Sequence, residues 1–192
     1  APVEIEPEPE LEVAYTPSVN YVEKDTNQGV ILIGHLGANS HDENVPAVRI
    51  MNFILGGGSF TSRITERVRT DEGLAYATYS RYGADPWTRG LFMASSQTRA
   101  DATARAIDLI LEIIEDLWRE GPTEDEVERA REIYERALEL QKHAVGAEHP
   151  LTRMAMAHTS TPTNVQSIRL RFVLFNISYS SRPGPNATAS WT

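Results

Sequence analysis

The stretch Leu55-Gly56-Gly57-Gly58-Ser59-Phe60-Thr61-Ser62-Arg63, followed by Val68-Arg69-Thr70-Asp71-Glu72-Gly73-Leu74-Ala75-Tyr76, decides how this chain is read. Three consecutive glycines close one apolar-periodic segment and open another. Upstream, Val45, Val48, Ile50, Met51, Ile54 and Leu55 fall at helical spacing, which predicts a helix over 42–55 with Asp42 as its N-cap. Downstream, a shorter helix is expected over 60–69, with Gly73 as the turn residue after it. Leu74–Tyr82 and Leu91–Thr98 then alternate as strands, separated by the turn signal Asp85-Pro86.

The same pattern extends outward on both sides. Val19–Val22 and Val30–Leu36 are β-branched and apolar, and Asp25 to Gly29 supplies turn chemistry between them, so two further strands are expected. A long amphipathic helix should occupy 100–119, with Ile107, Ile110, Leu111, Ile114, Leu117 and Trp118 on its inner face and Gly121-Pro122 as its stop. Thr123 with Glu126 forms a capping box for another long helix over 124–145. Strand pairs alternating with helix pairs define an α+β fold, a mostly antiparallel sheet with long helices packed on one face.

The chain has 192 residues, with 18 Lys plus Arg, 27 Asp plus Glu, a net charge of −9 and no Cys. That length builds a core without staples. The missing cysteines exclude thiol catalysis, Cys-ligated zinc, iron–sulfur clusters and disulfides. The acidic balance argues against nucleic acid or an anionic membrane as a bulk partner. No run of about 18 apolar residues could span a bilayer, and no basic-then-apolar leader is seen, so the compartment stays open. Starting at Ala1 without Met, the sequence reads as a processed or excised piece. Residues 1–136 hold 25 acidic and 13 basic side chains, whereas 137–192 hold two and five, which marks a boundary near 136.

Four segments follow from this reading. Residues 1–17, with Glu4, Glu6, Glu8, Glu10 and Glu12 among four prolines, form an acidic linker. Residues 18–136 form the folded domain and 137–158 a helical extension. Residues 159–192 form an irregular, disordered tail, within which Phe172–Tyr179 could be a lone strand.

Chemistry is sparse. The five histidines are His35, His41, His143, His149 and His158, and neither H-E-x-x-H nor H-x-x-E-H occurs. The nearest approach, Val145-Gly146-Ala147-Glu148-His149, has Val at the first ligand position, so no metal site is expected. The glycine run lacks the Lys-Ser/Thr of a phosphate loop and follows a helix where such loops follow a strand. Arg69 and Tyr76 are separated by seven residues and one tight turn. They can face one cleft, where a guanidinium fork and a phenolic hydroxyl would meet a developing oxyanion. Equally, Arg69 could pair with Glu66 or Asp71 while Tyr76 packs in the core.

Taken together, Leu55 to Arg63 and Val68 to Tyr76 resemble the pitrilysin/insulinase metallopeptidase family and its mitochondrial processing peptidase relatives. Gly34-His35-Leu36-Gly37 before the first helix, Arg99 to Thr103 at the start of the later one, and Gly121-Pro122-Thr123 with Glu124 to Arg131 agree with it. The resemblance covers residues 17–133. It implies a zinc-bearing half with H-x-x-E-H and a homologous half without it, closing over an extended peptide. Pro46-Ala47-Val48-Arg49-Ile50-Met51 stands where zinc ligands would be, so the resemblance points to the non-catalytic half, inactive alone. It further implies that Arg69 and Tyr76 support substrate and transition state in the partner's site. On the same basis Gly56, Gly57, Gly58 and Ser59 contact substrate, and the zinc is held by the partner half and not by this chain.

Past about residue 133 the pattern departs. Ala137 to Lys142, Gly146 to Thr152 and Met154 to Ala157 resemble one partial kinesin-light-chain-type tetratricopeptide repeat, over 134–157. Two alternatives to the peptidase reading follow: a helical-repeat interaction module, or a composite chain without selected function.

Overall fold

A computed structural model describes residues 26–149, with Asn20, Val22, Thr152, Arg153 and the backbone of 176–178. The strands are β1 (Gln28–Leu36), β2 (Ala38–Asn39), β3 (Ala75–Tyr82), β4 (Ala84–Asp85), β5 (Leu91–Arg99) and β6 (Asn176–Ser178). The α-helices are α1 (Val45–Asn52), α2 (Thr103–Glu120) and α3 (Glu124–Val145). The main sheet is antiparallel in the order β3-β5-β1-β6, and β2 pairs with β4 in a separate two-stranded parallel sheet.

Alternation along the strands sets which face is covered. Gly29, Ile31 and Ile33 of β1 are buried while Gln28, Val30 and Leu32 are exposed, and Phe92, Ala94 and Ser96 of β5 join the buried face. Against it lies α2, whose Ala106, Ile107, Leu109, Ile110, Ile113, Ile114 and Leu117 are all buried. These residues recur at three- and four-residue intervals, so one helical stripe meets one sheet face and excludes water from both. The first turn of α2 is pinned to the sheet by Thr103, whose Oγ1 lies 2.9 Å from Thr98 Oγ1 and donates to the Arg99 carbonyl at 3.0 Å.

Between α2 and α3, Gly121 adopts a positive φ of 77° and breaks the helix. Thr123 and Glu126 then form the expected box: Glu126 N donates to Thr123 Oγ1 at 3.2 Å and Thr123 N donates to Glu126 Oε2 at 2.7 Å. Glu126 has a second task. Its carboxylate accepts two 2.7 Å hydrogen bonds from Arg63, which ties the start of α3 to the segment after the glycine run. Burial pushes the Glu126 carboxyl upward, but the bonds from Arg63 and Thr123 outweigh it and leave it below the usual carboxylate range.

Several expectations need correction. The first helix begins at Val45, with Asn44 in the N-cap position, while Asp42 accepts a 2.8 Å bond from Asn44 N instead of capping. Pro46, tolerated in a first turn, sets that start. The helix does not stay α to Leu55: Phe53–Gly57 is π-helical. Nor is 60–69 a plain α-helix, since Ser59–Thr61 is 3₁₀ and Thr65–Asp71 is π-helical. Trp118 is 40% exposed and lies off the inner stripe. Asn20 and Val22 are irregular where a strand was expected, and the rest of 19–22 lies outside the described residues. In the tail, Asn176–Ser178 pairs with β1, and the remainder lies outside the described residues. Of the repeat-like segment, 137–145 is the continuous end of α3, which crosses position 136 unbroken.

Candidate functional site

The glycine run brings a helix end against a sheet edge. Gly56 is buried, and a Cβ there would meet Ser80 N at 2.6 Å and Ser80 Oγ at 2.6 Å, so only glycine allows this approach. Asn52 consolidates it by accepting from Ser80 Oγ at 2.8 Å and donating from Nδ2 to the Ser80 carbonyl at 3.4 Å. Two residues along, the Thr78 carbonyl accepts from Thr65 Oγ1 at 3.2 Å. Strand β3 is an edge of the main sheet. These side chains therefore occupy backbone acceptors that an edge strand would otherwise offer to another chain.

Beside this junction lies a cleft of about 540 Å³, a size within the usual range for ligand sites. Gly56, Gly57 and Arg69 line it with Asn52, Thr65 and residues 77–82 of β3, Arg49 of α1 and Tyr134 of α3. Gly58 and Tyr76 are not among the lining residues, and the side chain of Ser59 lies outside the described residues. Arg69 belongs to the π-helical segment, and its guanidinium lies 4.8 Å from the centroid of the Phe60 ring, a cation–π stack. It makes no ion pair with Glu66 or Asp71 among the described residues. Burial raises the Tyr134 and Tyr82 hydroxyls above the ordinary tyrosine value, so both stay protonated donors near neutral pH.

Tyr76 is not in the core. It is 82% exposed, and the register between β3 and β5 shifts around it: Ala75 stands opposite Thr98 while Ala77 stands opposite Gln97. Tyr76 is thus the extra residue of a β-bulge, a device that re-aims a side chain out of the ladder. Gly73, at φ 61°, provides the reversal that brings Val68 and Leu74 into a 2.9 Å backbone bond just ahead of it. Arg69 and Tyr76 consequently flank one tight turn, with Arg69 on the cleft and Tyr76 projecting beyond it.

Metal chemistry finds no support here. The α1 residues Val45 to Asn52 contain no His, Asp or Glu, so they do not fit a zinc ion. Among the described residues no group of three or more His, Cys, Asp or Glu is arranged to hold a metal. Likewise, no helix among them is long and apolar enough to cross a membrane.

A helix-backed antiparallel sheet, a glycine junction at its edge and an α1 with no zinc-ligating side chain match a peptidase-type domain that lacks the zinc-binding motif. The profile for the peptidase M16 inactive domain matches residues 2–134, and the chain belongs to that family. The match takes in residues 2–17 of the acidic segment. Among curated relatives, the non-peptidase homolog YmxG of Helicobacter pylori is 29% identical over 129 residues, 66% of this chain and 29% of that protein. The uncharacterized zinc protease YmxG of Bacillus subtilis is 30% identical over 125 residues, 65% of this chain and 30% of that protein. Of solved structures, the M16 inactive domain from Pseudomonas fluorescens superposes with a TM-score of 0.59 at 29% identity, covering 73% of this chain and 33% of that one. The chain therefore spans under a third of the length of these curated relatives.

Proposed function

We propose that this chain is the substrate-orienting half of an insulinase-type zinc peptidase, working with a homologous zinc-bearing partner over an extended peptide. The observation that carries the reading is the bulge at Tyr76, which leaves a phenol 82% exposed beside the Arg69 cleft. A tyrosine with no packing role at a bulge is placed to act on something outside its own chain. Arg69 would hold a substrate carbonyl through its fixed donors, and the Tyr76 hydroxyl would donate to the oxygen that gains charge as the peptide bond is attacked. Gly56 and Gly57 supply a floor without side chains along which an extended backbone can lie. The zinc ion and the base that activates water belong, in this reading, to the H-x-x-E-H half.

The test is turnover by the reconstituted pair. Tyr76→Phe removes one donor and should lower kcat by about 10²–10³-fold, the scale for one oxyanion donor, with KM little changed. An unchanged kcat would remove Tyr76 from the mechanism.

A further inference from the structure

The chain carries a net charge of −9, yet the cleft along β3 is lined by three arginines and no carboxylate. Arg49 comes from α1, Arg69 from the π-helical segment and Arg81 from β3, so three separate elements each place an arginine along one concavity. Guanidinium groups stay protonated at any physiological pH, and their planar donor forks match a carboxylate. Arg81 is exposed and makes no ion pair among the described residues. Tyr82 and Tyr134 complete the same wall. The surroundings are thus donor-rich and positive within an otherwise acidic surface.

We infer that this cleft is a specificity subsite that selects an acidic side chain, Glu or Asp, on the extended peptide. The inference rests on the peptide-orienting role proposed above and deepens it by naming what the peptide carries. A side chain is favoured over a chain terminus because the cleft follows β3 across residues 77–82, about 20 Å of strand, so a bound segment runs alongside it. The selection is electrostatic: a Gln at the same position keeps the shape and loses the charge.

The experiment uses the full chain and two fluorescent decapeptides, blocked at both ends and identical except for a central Glu or Gln, with binding read by anisotropy. The Glu peptide should bind about tenfold more tightly, the scale of one charge-assisted contact, and the ratio should shrink as salt rises. In Arg81→Gln the ratio should fall towards one, while Arg81→Lys retains part of it and shows that charge at this position is what matters. A Glu peptide with a free C-terminal carboxylate should gain little over its blocked form; a tenfold gain would overturn the choice of a side chain. Equal binding of both peptides by the unsubstituted chain would overturn the subsite and leave the peptide-orienting role standing. So would a Glu/Gln ratio untouched by Arg81→Gln. Failure of every peptide to bind at millimolar concentration would overturn the role and the subsite together.

Discussion

Gly56→Ala is the most informative single change, because one methyl group probes the junction on which the site is built. The added Cβ would lie 2.6 Å from both Ser80 N and Ser80 Oγ and 2.9 Å from Ser80 Cβ, so it meets strand backbone that has nowhere to go. Overpacking of this kind costs about 1–3 kcal/mol. Displacing Ser80 also breaks two of its three bonds to Asn52, worth about 1 kcal/mol each. Against this, alanine is the better helix former by about 1 kcal/mol. The net is a loss of about 2–4 kcal/mol. In urea, with a slope of about 2 kcal/mol per molar for a domain of this size, the midpoint should fall by about 1–2 M. Gly57→Ala is the internal control. There the Cβ meets Asn52 Nδ2 at 2.9 Å and the Asn52 carbonyl oxygen at 3.2 Å but no strand backbone, and Gly57 is exposed, so its cost should be about 1 kcal/mol, smaller than that of Gly56→Ala. Urea unfolding of the two variants, followed by far-UV circular dichroism, decides the matter. A Gly56→Ala protein as stable as the parent, or a Gly57→Ala protein that is worse, would refute the close-approach argument.

Glu126→Gln should weaken both the Arg63 contact and the cap, lowering stability at pH 7 by about 1–2 kcal/mol, since the pair is only partly buried. Because the folded-state pKa of Glu126 is depressed, its contribution is present above the unfolded value and fades as pH falls through the folded one. The gap between parent and variant should therefore start to narrow as pH falls below the ordinary glutamate value and close only below the depressed folded one, read from urea midpoints across pH. Thr123→Ala removes the N-cap acceptor for Glu126 N and should cost about 1 kcal/mol by the same titration. Ile110→Ala, fully buried where α2 meets the sheet, should cost about 2–5 kcal/mol and mark α2 as the centre of the core.

Elements whose signal is periodic were readable in the sequence. The stripe Ile107, Ile110, Ile114 and Leu117 gave α2 its inner face, and the Thr123–Glu126 spacing located the start of α3 to the residue. Features that depend on distant partners were not. Glu126 reads as a capping residue, and nothing local reveals that Arg63, 63 positions away, shares its carboxylate. Trp118 follows the periodicity yet stands at the margin of the stripe, where the sheet no longer covers it. The π-helical turns at Phe53–Gly57 and Thr65–Asp71 add residues that α periodicity does not anticipate. The parallel pair β2–β4 is too short to leave a pattern at all.

The candidate site divides the same way. Arg69, Tyr76 and the glycines stand close together in sequence and could be singled out through the resemblance they carry. The bulge that frees Tyr76 depends on β5 register, which no local pattern encodes. Arg49 and Arg81 reach the cleft from α1 and β3, and each looks like an ordinary surface charge until the helix end and strand edge are brought together by Gly56.

In the proposed function this domain completes a zinc-bearing half by supplying substrate-orienting groups. The direct measurement is hydrolysis of an internally quenched extended peptide by a purified H-x-x-E-H half of the same family from the same organism, with and without this chain. Negligible turnover is expected from either component alone and robust turnover from the mixture, abolished by chelation of zinc and reduced about 10²–10³-fold by Tyr76→Phe. A zinc-bearing half that works equally well without this chain would contradict it.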